Sequence, residues 1–565
     1  MTTHAEWIHG RGDWSTHKDI ESYDHETRSI YESPSEPSYV CWVVAWTGPD
    51  GVSKVSFVEV MGPPSLYPTY HFNDPHLECY NKTLHTEDGG ETWKDTGWKE
   101  PLDSLDENSD HHWRAVVVDE NGGLIRMMPR IVPGITDADG VMYVYDPSSA
   151  ETAFPFRPKE PHEVAPKFSA FWRSLDGGKT WREVSLLRDR RDGWWCSDMI
   201  RRTDGRLLTI GMVYGLQGKD AHYKNARVAV SESEDDARTW SSRQILDLPI
   251  DVFGDIGWGE ENALVELSED RILAVCRVTR PGTRRLAALR RTRNRWEVED
   301  HWVSELPYGG YPFARRASCG TIFYNGHDGV WSSVNDGRTW TRQSVAQAYY
   351  PQLVEADRSK IVSLGHVGMG DTAWPAPQET NIQASSFRYR SIEVIEQSDD
   401  SESLCLSVIK GEPFENMHAG VEVKLEERAG IAFRIQDDPE QGYYVCVARL
   451  TDGPGRWPNP KTFHPVPLIL EIEKVTGRRS ETLFKRNAGT CVPGTWVKLQ
   501  VRMAGTQMLG AVLVPEGPKP QYIAARDASY SSGRVGLITH LSKACFKNLT
   551  LSREPHSIRG SWEQR

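Results

Sequence analysis

Several side chains that could do chemistry stand where short apolar stretches begin or end. Glu261 comes directly before one such stretch and Arg277 directly after the next, while His112 and Arg114 precede another. A neighbouring histidine and arginine could act as an acid/base and as an anion clamp, although both are also typical of a solvated loop. Glu261 is either a functional or a structural strand-end carboxylate. Arg277 either binds substrate or pairs with Glu266 or another carboxylate of its unit.

Pairs of apolar stretches joined by Asp- or Gly-containing turns must position these side chains. The length and alternation of the stretches predict β-strands, and each pair predicts an inner hairpin. Around a common axis, the ends of such hairpins would converge on one mouth of a central channel, where function is expected. The pattern occurs at residues 114–127, 198–210, 262–275, 316–323 and 352–364.

An eight-residue turn recurs four times between these hairpins. Its pattern is Ser/Thr-x-Asp-x-Gly-x-Thr-Trp, with Asn335 in place of the Asp in the last copy and Ala237 in place of the Gly in the third. The acidic side chain can accept backbone N–H bonds, and the glycine allows a positive φ. Four copies predict repeated outer hairpins rather than chance similarity. The copies are residues 86–93, 174–181, 233–240 and 333–340.

Counting the hairpins predicts six repeated units. Six four-stranded units around an axis make a six-bladed β-propeller, which hides its strand edges by radial repetition. A seventh unit within the irregular segment 132–170 is the alternative. The six units are residues 28–97, 112–187, 194–246, 259–305, 312–346 and 349–392.

The pattern changes after Ser391. Alternating strands without the turn motif follow, and their spacing predicts an antiparallel β-sandwich at residues 400–555 after a first domain of residues 1–392. The order of these strands resembles laminin-G or concanavalin-like jelly rolls. That resemblance implies an accessory domain that either packs against the first domain or binds glycans.

Composition excludes some classes of protein. The 565 residues carry 66 Lys and Arg against 79 Asp and Glu, a net charge of −13, which argues against a nucleic-acid binder working through overall charge. The N-terminus has no apolar core typical of a signal peptide, which favours the cytoplasm unless a leader was removed. No apolar stretch is long enough to span a membrane. Nine scattered cysteines indicate neither a zinc site nor a disulfide framework, and no cofactor is expected.

The hairpins and turns together resemble the sialidase (neuraminidase) superfamily over about the first 390 residues, with the turns as its Asp-boxes. In that family a Tyr is the nucleophile, a Glu is its base, and three Arg residues hold the substrate carboxylate. The resemblance implies that Tyr350 is the nucleophile, with Tyr349 as a one-residue alternative, that Glu261 is its base and that Arg277 is one clamp. Asp74 is the nearest candidate for the acid.

Other positions match the family less closely. Its Arg-Ile-Pro motif is absent, and Arg28 is the nearest counterpart. Gly326 and His327 stand where a third clamp Arg is expected, and Arg315 and Arg316 open the fifth inner strand. The resemblance implies an exo-acting, retaining glycoside hydrolase that cleaves a terminal acidic sugar from an oligosaccharide or polysaccharide.

Two further functions stay open. A mouth lined by His, Tyr and Arg could eliminate uronic-acid residues from glycans, with Arg neutralising the uronate and His112 or His327 moving protons. A propeller that only binds glycans or proteins is the third hypothesis, because a fold alone does not establish activity. No metal site is evident, although turn aspartates could hold a structural Ca²⁺.

Overall fold

Strands make up nearly all of the regular structure in the computed structural model, in which the chain is all-β. It divides into one unit of Ile20–Arg390 and a second made of Met1–Asp19 with Ser391–Arg565. The first 19 residues therefore group with the C-terminal unit rather than with the expected first domain. The structure describes residues 7–9, 13–34, 38–48, 50–62, 78–101, 115–119, 121–131, 134–136, 142–144, 154–156, 167–187, 192–215, 227–249, 253, 261–277, 283–293, 295–307, 311–326, 329–344, 349–366, 381–398, 404–425, 427–451, 466–477, 479–491, 494–514, 519–540 and 544–553.

Five antiparallel sheets of the Ile20–Arg390 unit have four strands each, as expected of propeller blades. Strands are numbered along the chain. Sheet 1 is β3 (Ser38–Thr47), β4 (Ser53–Met61), β5 (Glu78–Thr86) and β6 (Lys94–Pro101), and sheet 2 is β7 (Ala115–Val118), β8 (Leu124–Ile131), β12 (Lys167–Ser174) and β13 (Arg182–Leu187). Sheet 3 is β14 (Asp192–Arg201), β15 (Leu207–Gly215), β16 (Arg227–Ser233) and β17 (Gln244–Ile245). Sheet 4 is β18 (Asn262–Ser268), β19 (Arg271–Cys276), β20 (Thr283–Thr292) and β21 (Arg295–Pro307), and sheet 5 is β22 (Phe313–Arg316), β23 (Ile322–Gly326), β24 (Gly329–Ser333) and β25 (Thr341–Arg342).

Sheet 6 is completed by a strand from the start of the chain. It contains β26 (Tyr349–Asp357), β27 (Lys360–His366), β28 (Asn381–Gln397) and β2 (Trp14–Glu32), of which β2 pairs with β28. Residues 28–32, predicted to begin the first unit, therefore belong to a strand of the last sheet. Each first strand contacts the first strand of the next sheet, and β26 contacts β3, so the six first strands form a ring.

The segment predicted to hide a seventh unit contains a smaller sheet among its described residues. Its strands β9 (Gly134–Thr136), β10 (Met142–Val144) and β11 (Phe154–Phe156) have three residues each and pair antiparallel. This sheet has one strand fewer than sheets 1 to 6, and its strands are shorter than those at the centre of the ring.

Apolar side chains on the facing surfaces of neighbouring sheets form the core of this unit. Between sheets 3 and 4, Leu208 and Ile210 on β15 pack in one cluster with Leu264 on β18 and Ile272 on β19. Burying one such side chain contributes about 1.5–3 kcal/mol. The alternation read from the sequence thus becomes contact between adjacent sheets, which fixes where the first strands begin.

All four eight-residue turns adopt one hydrogen-bonding pattern. In the first, Asp88 accepts from the backbone N and the hydroxyl of Thr92 at 2.9 and 2.6 Å, and the N–H of Gly90 donates to Thr86 Oγ1 at 2.9 Å. Equivalent bonds from the backbone occur in the copies at 174–181, 233–240 and 333–340. In the last copy the side-chain bond is reversed, because Asn335 Nδ2 donates to Thr339 Oγ1 at 2.8 Å. Ala237 takes a positive φ of +62°, and the glycines at this position in the other copies also have positive φ values. Each turn joins the third and fourth strands of its sheet.

The C-terminal unit contains two sheets that share one apolar core, with Val421 and Leu499 from one and Ile431 and Leu470 from the other. One is β1 (Trp7–His9), β29 (Leu404–Ile409), β38 (Arg534–His540), β31 (Arg428–Ile435), β32 (Tyr443–Leu450), β33 (Val466–Thr476) and β34 (Arg479–Cys491), in that order. The other joins the end of β28 to β39 (Ala544–Ser552), β30 (Met417–Leu425), β35 (Trp496–Ala504), β36 (Gln507–Leu513) and β37 (Gln521–Arg526). A 3-10 turn spans Pro439–Gln441.

Candidate active site

Glu261 and Arg277 face each other across the open end of one hairpin. Glu261 precedes β18 and Arg277 follows β19, and the N–H of Arg277 donates to the carbonyl of Glu261 at 3.1 Å. Glu261 and Arg277 are 16 positions apart in sequence, and the antiparallel register of β18 and β19 brings them opposite each other. Arg277 Nη1 also donates to Glu261 Oε2. Glu261 is only 3% exposed, and a buried carboxylate needs such a partner to stay charged.

Tyr350 reaches the same carboxylate from sheet 6. Its hydroxyl donates to Glu261 Oε1 at 3.1 Å, so each carboxylate oxygen has its own donor. Tyr350 lies where the pairing of β26 with β27 shifts between Tyr349 and Gln352. Its φ is +46°, an unusual value for a bulky residue, and Pro351 restricts the preceding backbone further. Strain of this kind clusters at functional sites.

Two aromatic rings flank Tyr350. The ring of Tyr311 stacks on it with a centroid separation of 5.9 Å and an interplanar angle of 29°, and the ring of His366 does so at 6.1 Å and 27°. Both flanking residues are buried, at 3% and 1% exposure. Sequence reasoning missed both residues. His366 ends the hairpin that begins with Tyr349 and pairs with Tyr349 in the register. The hairpin pattern in the sequence could therefore have predicted that His366 lies next to Tyr350.

A second ion pair lies close to Tyr311. Arg315 Nη1 and Nη2 donate to Asp198 Oδ2 and Oδ1 at 2.8 and 2.7 Å. Asp198 is 2% exposed and also accepts from the N–H of Leu264 at 2.8 Å. Burial works against the charge on Arg315, but Asp198 outweighs it and raises the pKa of Arg315. This pair fastens β22 to the first strands of sheets 3 and 4.

Two predicted site residues lie away from Tyr350. Arg28 donates to Glu26 at 2.7 Å and to Glu91 of the first eight-residue turn at 3.0 Å, because β2 is an outer strand of its sheet. Arg316 lies at the opposite end of β22 from Tyr311 and donates to the carbonyls of Gly320, at 2.9 Å, and Leu267. The structure therefore does not bring these two arginines to the cluster. Asp74, His112, Arg114 and His327 lie outside the described residues.

The cluster has the parts for transferring a proton from a phenol. Glu261 accepts the Tyr350 hydroxyl, and its pairing with Arg277 offsets the cost of burying a carboxylate, which suits a base. The side chain of Arg277 is 19% exposed, so its positive charge is partly accessible at the surface of the site. Over the described ranges, no group of three or more His, Cys, Asp or Glu could hold a metal ion. No helix in the described part of the chain is long and apolar enough to cross a membrane.

Comparison with known proteins gives distant structural likenesses only. No protein-family profile matches the chain, and no curated protein matches it. A Dyadobacter fermentans protein of unknown function matches at 13% identity and TM-score 0.45, covering 66% of this chain and 99% of its own. The NanB sialidase of Streptococcus pneumoniae matches at 13% and 0.44 (64% and 70%), and the sucrose-6-phosphate hydrolase of Lactobacillus gasseri at 11% and 0.35 (91% and 93%). Likenesses this distant assign no reaction, substrate or residue role to this chain.

Proposed function

We propose that the chain is a carbohydrate-active enzyme, an exo-acting glycoside hydrolase of sialidase type that removes a terminal acidic sugar from glycans. The observation that carries the proposal is the hydrogen bond of 3.1 Å from Tyr350 to Glu261, whose other oxygen is paired with Arg277. A phenol with an ordinary pKa near 10 is a weak nucleophile at neutral pH and needs an adjacent base. Glu261 would be that base.

The architecture proposed with this function is a six-bladed β-propeller followed by a β-sandwich of jelly-roll type. Six sheets whose first strands form a ring support the propeller. Two sheets that share one apolar core support the sandwich. In a propeller the beginnings of the first strands surround one mouth of the channel, and Glu261 and Tyr350 stand at two such beginnings.

The proposed reaction has two displacements and retains the anomeric configuration. Glu261 takes the hydroxyl proton while the oxygen of Tyr350 bonds to the anomeric carbon. The glycosidic C–O bond breaks, and an acid, for which Asp74 is the candidate, protonates the departing oxygen. Water then attacks the anomeric carbon, the acid residue removes the proton of that water, and Tyr350 leaves and regains its proton from Glu261. Arg277 would bind the carboxylate of the sugar, because a guanidinium matches a carboxylate in a planar fork.

A second function is elimination at a uronic-acid residue. The stacking of His366 on Tyr350 favours it, because a lyase needs one group to remove the C5 proton and another to protonate the leaving oxygen. Arg277 would neutralise the uronate. In that case Glu261 would orient Tyr350, and the product would contain a carbon–carbon double bond.

Product analysis separates these functions. Wild-type protein and Tyr350→Phe are incubated with sialosides and with uronate-rich polysaccharides, and products are followed by release of free sugar and by ultraviolet absorbance. If the protein is a hydrolase, the wild type should release a free acidic sugar whose first-formed anomer has the configuration of the substrate. Tyr350→Phe should not release this sugar. Tyr389→Phe is the matched control, because Tyr389 donates to Glu355 at 2.9 Å in the same sheet. An unsaturated product would replace the first proposal by the second, and absence of both products would favour a binding protein.

A further inference from the structure

Ser197 contacts the supports of both members of the Tyr350–Glu261 pair. It is fully buried in β14, where the register with β15 shifts between Cys196 and Asp198. Its carbonyl accepts the hydroxyl of Tyr311, the residue whose ring stacks on Tyr350. Its Oγ accepts from the N–H of Asn262 at 3.0 Å, next to Glu261, and donates to the carbonyl of Ile210 at 3.4 Å.

The segment that carries Tyr311 is fastened to β14 at two points. Tyr311 bonds to Ser197, and four residues later Arg315 forms its two bonds of 2.8 and 2.7 Å to Asp198. These contacts join residues 114 and 117 positions apart in sequence. Sheet 3 thereby holds Tyr311, whose ring stacks on Tyr350 of sheet 6.

The start of β18 is fastened to the same bulge. The N–H of Asn262 donates to Ser197 and the N–H of Leu264 to Asp198 Oδ2, at 3.0 and 2.8 Å. Glu261 is bonded directly to Asn262, so these two bonds fix where its side chain begins. The strand that carries the carboxylate and the ring that supports the phenol therefore share one point of attachment.

We propose that Ser197 and Tyr311 are positioning residues that set the distance between Tyr350 and Glu261. The pair joins residues 89 positions apart on sheets 4 and 6, and its bond lasts only while the two sheets keep their spacing. A bulge on a third sheet, bonded to both supports, fixes that spacing. β-Bulges are common next to active sites because they re-aim side chains, and reactive groups need such outer support. The catalytic meaning of this device rests on the proposed function, whereas the geometric part does not.

The test combines two substitutions that remove single hydrogen bonds. Tyr311→Phe keeps the stacked ring and loses the bond to the Ser197 carbonyl, and Ser197→Ala loses the Oγ bonds and keeps that carbonyl. Each should lower kcat about 10-fold with KM little changed, and the double variant should lower it about 100-fold, as expected for misplacement by about 1 Å. Crystal structures should show the Tyr350–Glu261 bond lengthened beyond about 3.5 Å in the double variant.

Ser304→Ala is the matched control. Ser304 is also a buried serine bonded to backbone groups, donating to the carbonyl of Arg284 at 3.0 Å and accepting from the N–H of Leu306 at 3.3 Å, but it lies on outer strand β21. It should leave kcat and the Tyr350–Glu261 bond unchanged.

The outcomes separate the positioning inference from the proposed function. An unchanged Tyr350–Glu261 bond in the double variant overturns the inference whether or not a substrate is known. The inference is also overturned if the kcat of each variant returns to the wild-type value at temperatures well below the Tm of that variant. If the bond lengthens while Tyr350→Phe stays fully active, the positioning stands and the proposed reaction fails.

Discussion

Among the described residues, the clusters around Tyr350 and Tyr31 each combine a tyrosine, a glutamate and a cation, and they differ in how the tyrosine is held. In one, Tyr350 donates to Glu261, which pairs with Arg277. In the other, Tyr31 donates to Glu59 at 2.5 Å, and Lys82 Nζ donates to the Tyr31 oxygen at 3.1 Å. The cation therefore contacts the carboxylate in the first cluster and the phenol oxygen itself in the second.

The backbone differs as well. Tyr350 has a φ of +46° at an irregular strand beginning, whereas Tyr31 lies in the long strand β2, with its ring 4.9 Å from that of Phe57. Lys82 lies over the Tyr31 ring at 4.6 Å. A phenol, a carboxylate and a cation thus form a strained cluster at the ends of first strands around Tyr350. Tyr31, Glu59 and Lys82 form an unstrained cluster between strands, which we call the brace. The comparison predicts that substitutions in the first cluster affect turnover and substitutions in the second affect stability.

The largest expected difference is between the two glutamates. Glu261→Gln should lower kcat on an acidic-sugar substrate by about 10²–10⁴-fold, because an amide cannot take the phenol proton. Glu59→Gln should leave kcat unchanged and lower the free energy of unfolding by about 1–3 kcal/mol, because Glu59 is 1% exposed and accepts from both Tyr31 and Ser33. Steady-state kinetics and urea unfolding of both variants measure this. Equal losses of turnover would remove the distinction between the clusters.

The cations should separate next. Arg277→Lys keeps the charge but loses the planar fork, so KM for an acidic substrate should rise about 10-fold. The methyl ester of the same substrate serves as a control, since wild type and variant should differ little on it. Lys82→Met should leave both kinetic constants unchanged, because Lys82 bonds to Tyr31 and Asp95 within the brace. A KM increase that is equal for the acid and its ester would exclude Arg277 as a carboxylate clamp.

Backbone strain gives a smaller effect, on stability alone. Asparagine tolerates a positive φ better than tyrosine does, so Tyr350→Asn should release part of a strain of about 1–3 kcal/mol. Tyr31→Asn loses the same ring without that release. We therefore expect Tyr350→Asn to lower the free energy of unfolding by about 1–3 kcal/mol less than Tyr31→Asn does. Equal losses in chemical denaturation would show that the φ of Tyr350 carries no strain.

The sequence predicted those parts of the candidate site that depend on local register. Glu261 and Arg277 are brought together by a single hairpin, whose length is readable from alternating apolar residues. Tyr350 was predicted from the family resemblance, which implies a tyrosine at the beginning of the last such hairpin. The apolar pattern also anticipated sheets 1 to 5, because the four strands of each sheet follow one another along the chain, with only the small sheet β9–β11 inserted within sheet 2.

Contacts across the ring left no local pattern to read. Tyr311 and Ser197 meet although they are 114 positions apart in sequence. β2 joins sheet 6, and Ser22 on β2 donates to the carbonyl of Gln343, 321 positions away. Such contacts depend on how many sheets close the ring and on the rotation between them, which periodicity within one strand does not encode. Arg28 was predicted only as the nearest counterpart of an Arg-Ile-Pro motif, and β2, which carries it, is an outer strand of sheet 6.

The smallest expected effect is the pH dependence of the Tyr31 brace. Burial first, and then the Glu59 carboxylate, raise the pKa of Tyr31 far above its ordinary value. A raised pKa in the folded state means that the fold keeps a proton that the unfolded chain loses above about pH 10. The contribution of Tyr31 is therefore complete below that pH and is lost as the pH rises further. Urea unfolding between about pH 8 and 11 should show a steeper loss of stability in wild type than in Tyr31→Phe. Parallel slopes in wild type and Tyr31→Phe would mean that Tyr31 is not the proton-retaining phenol of this brace.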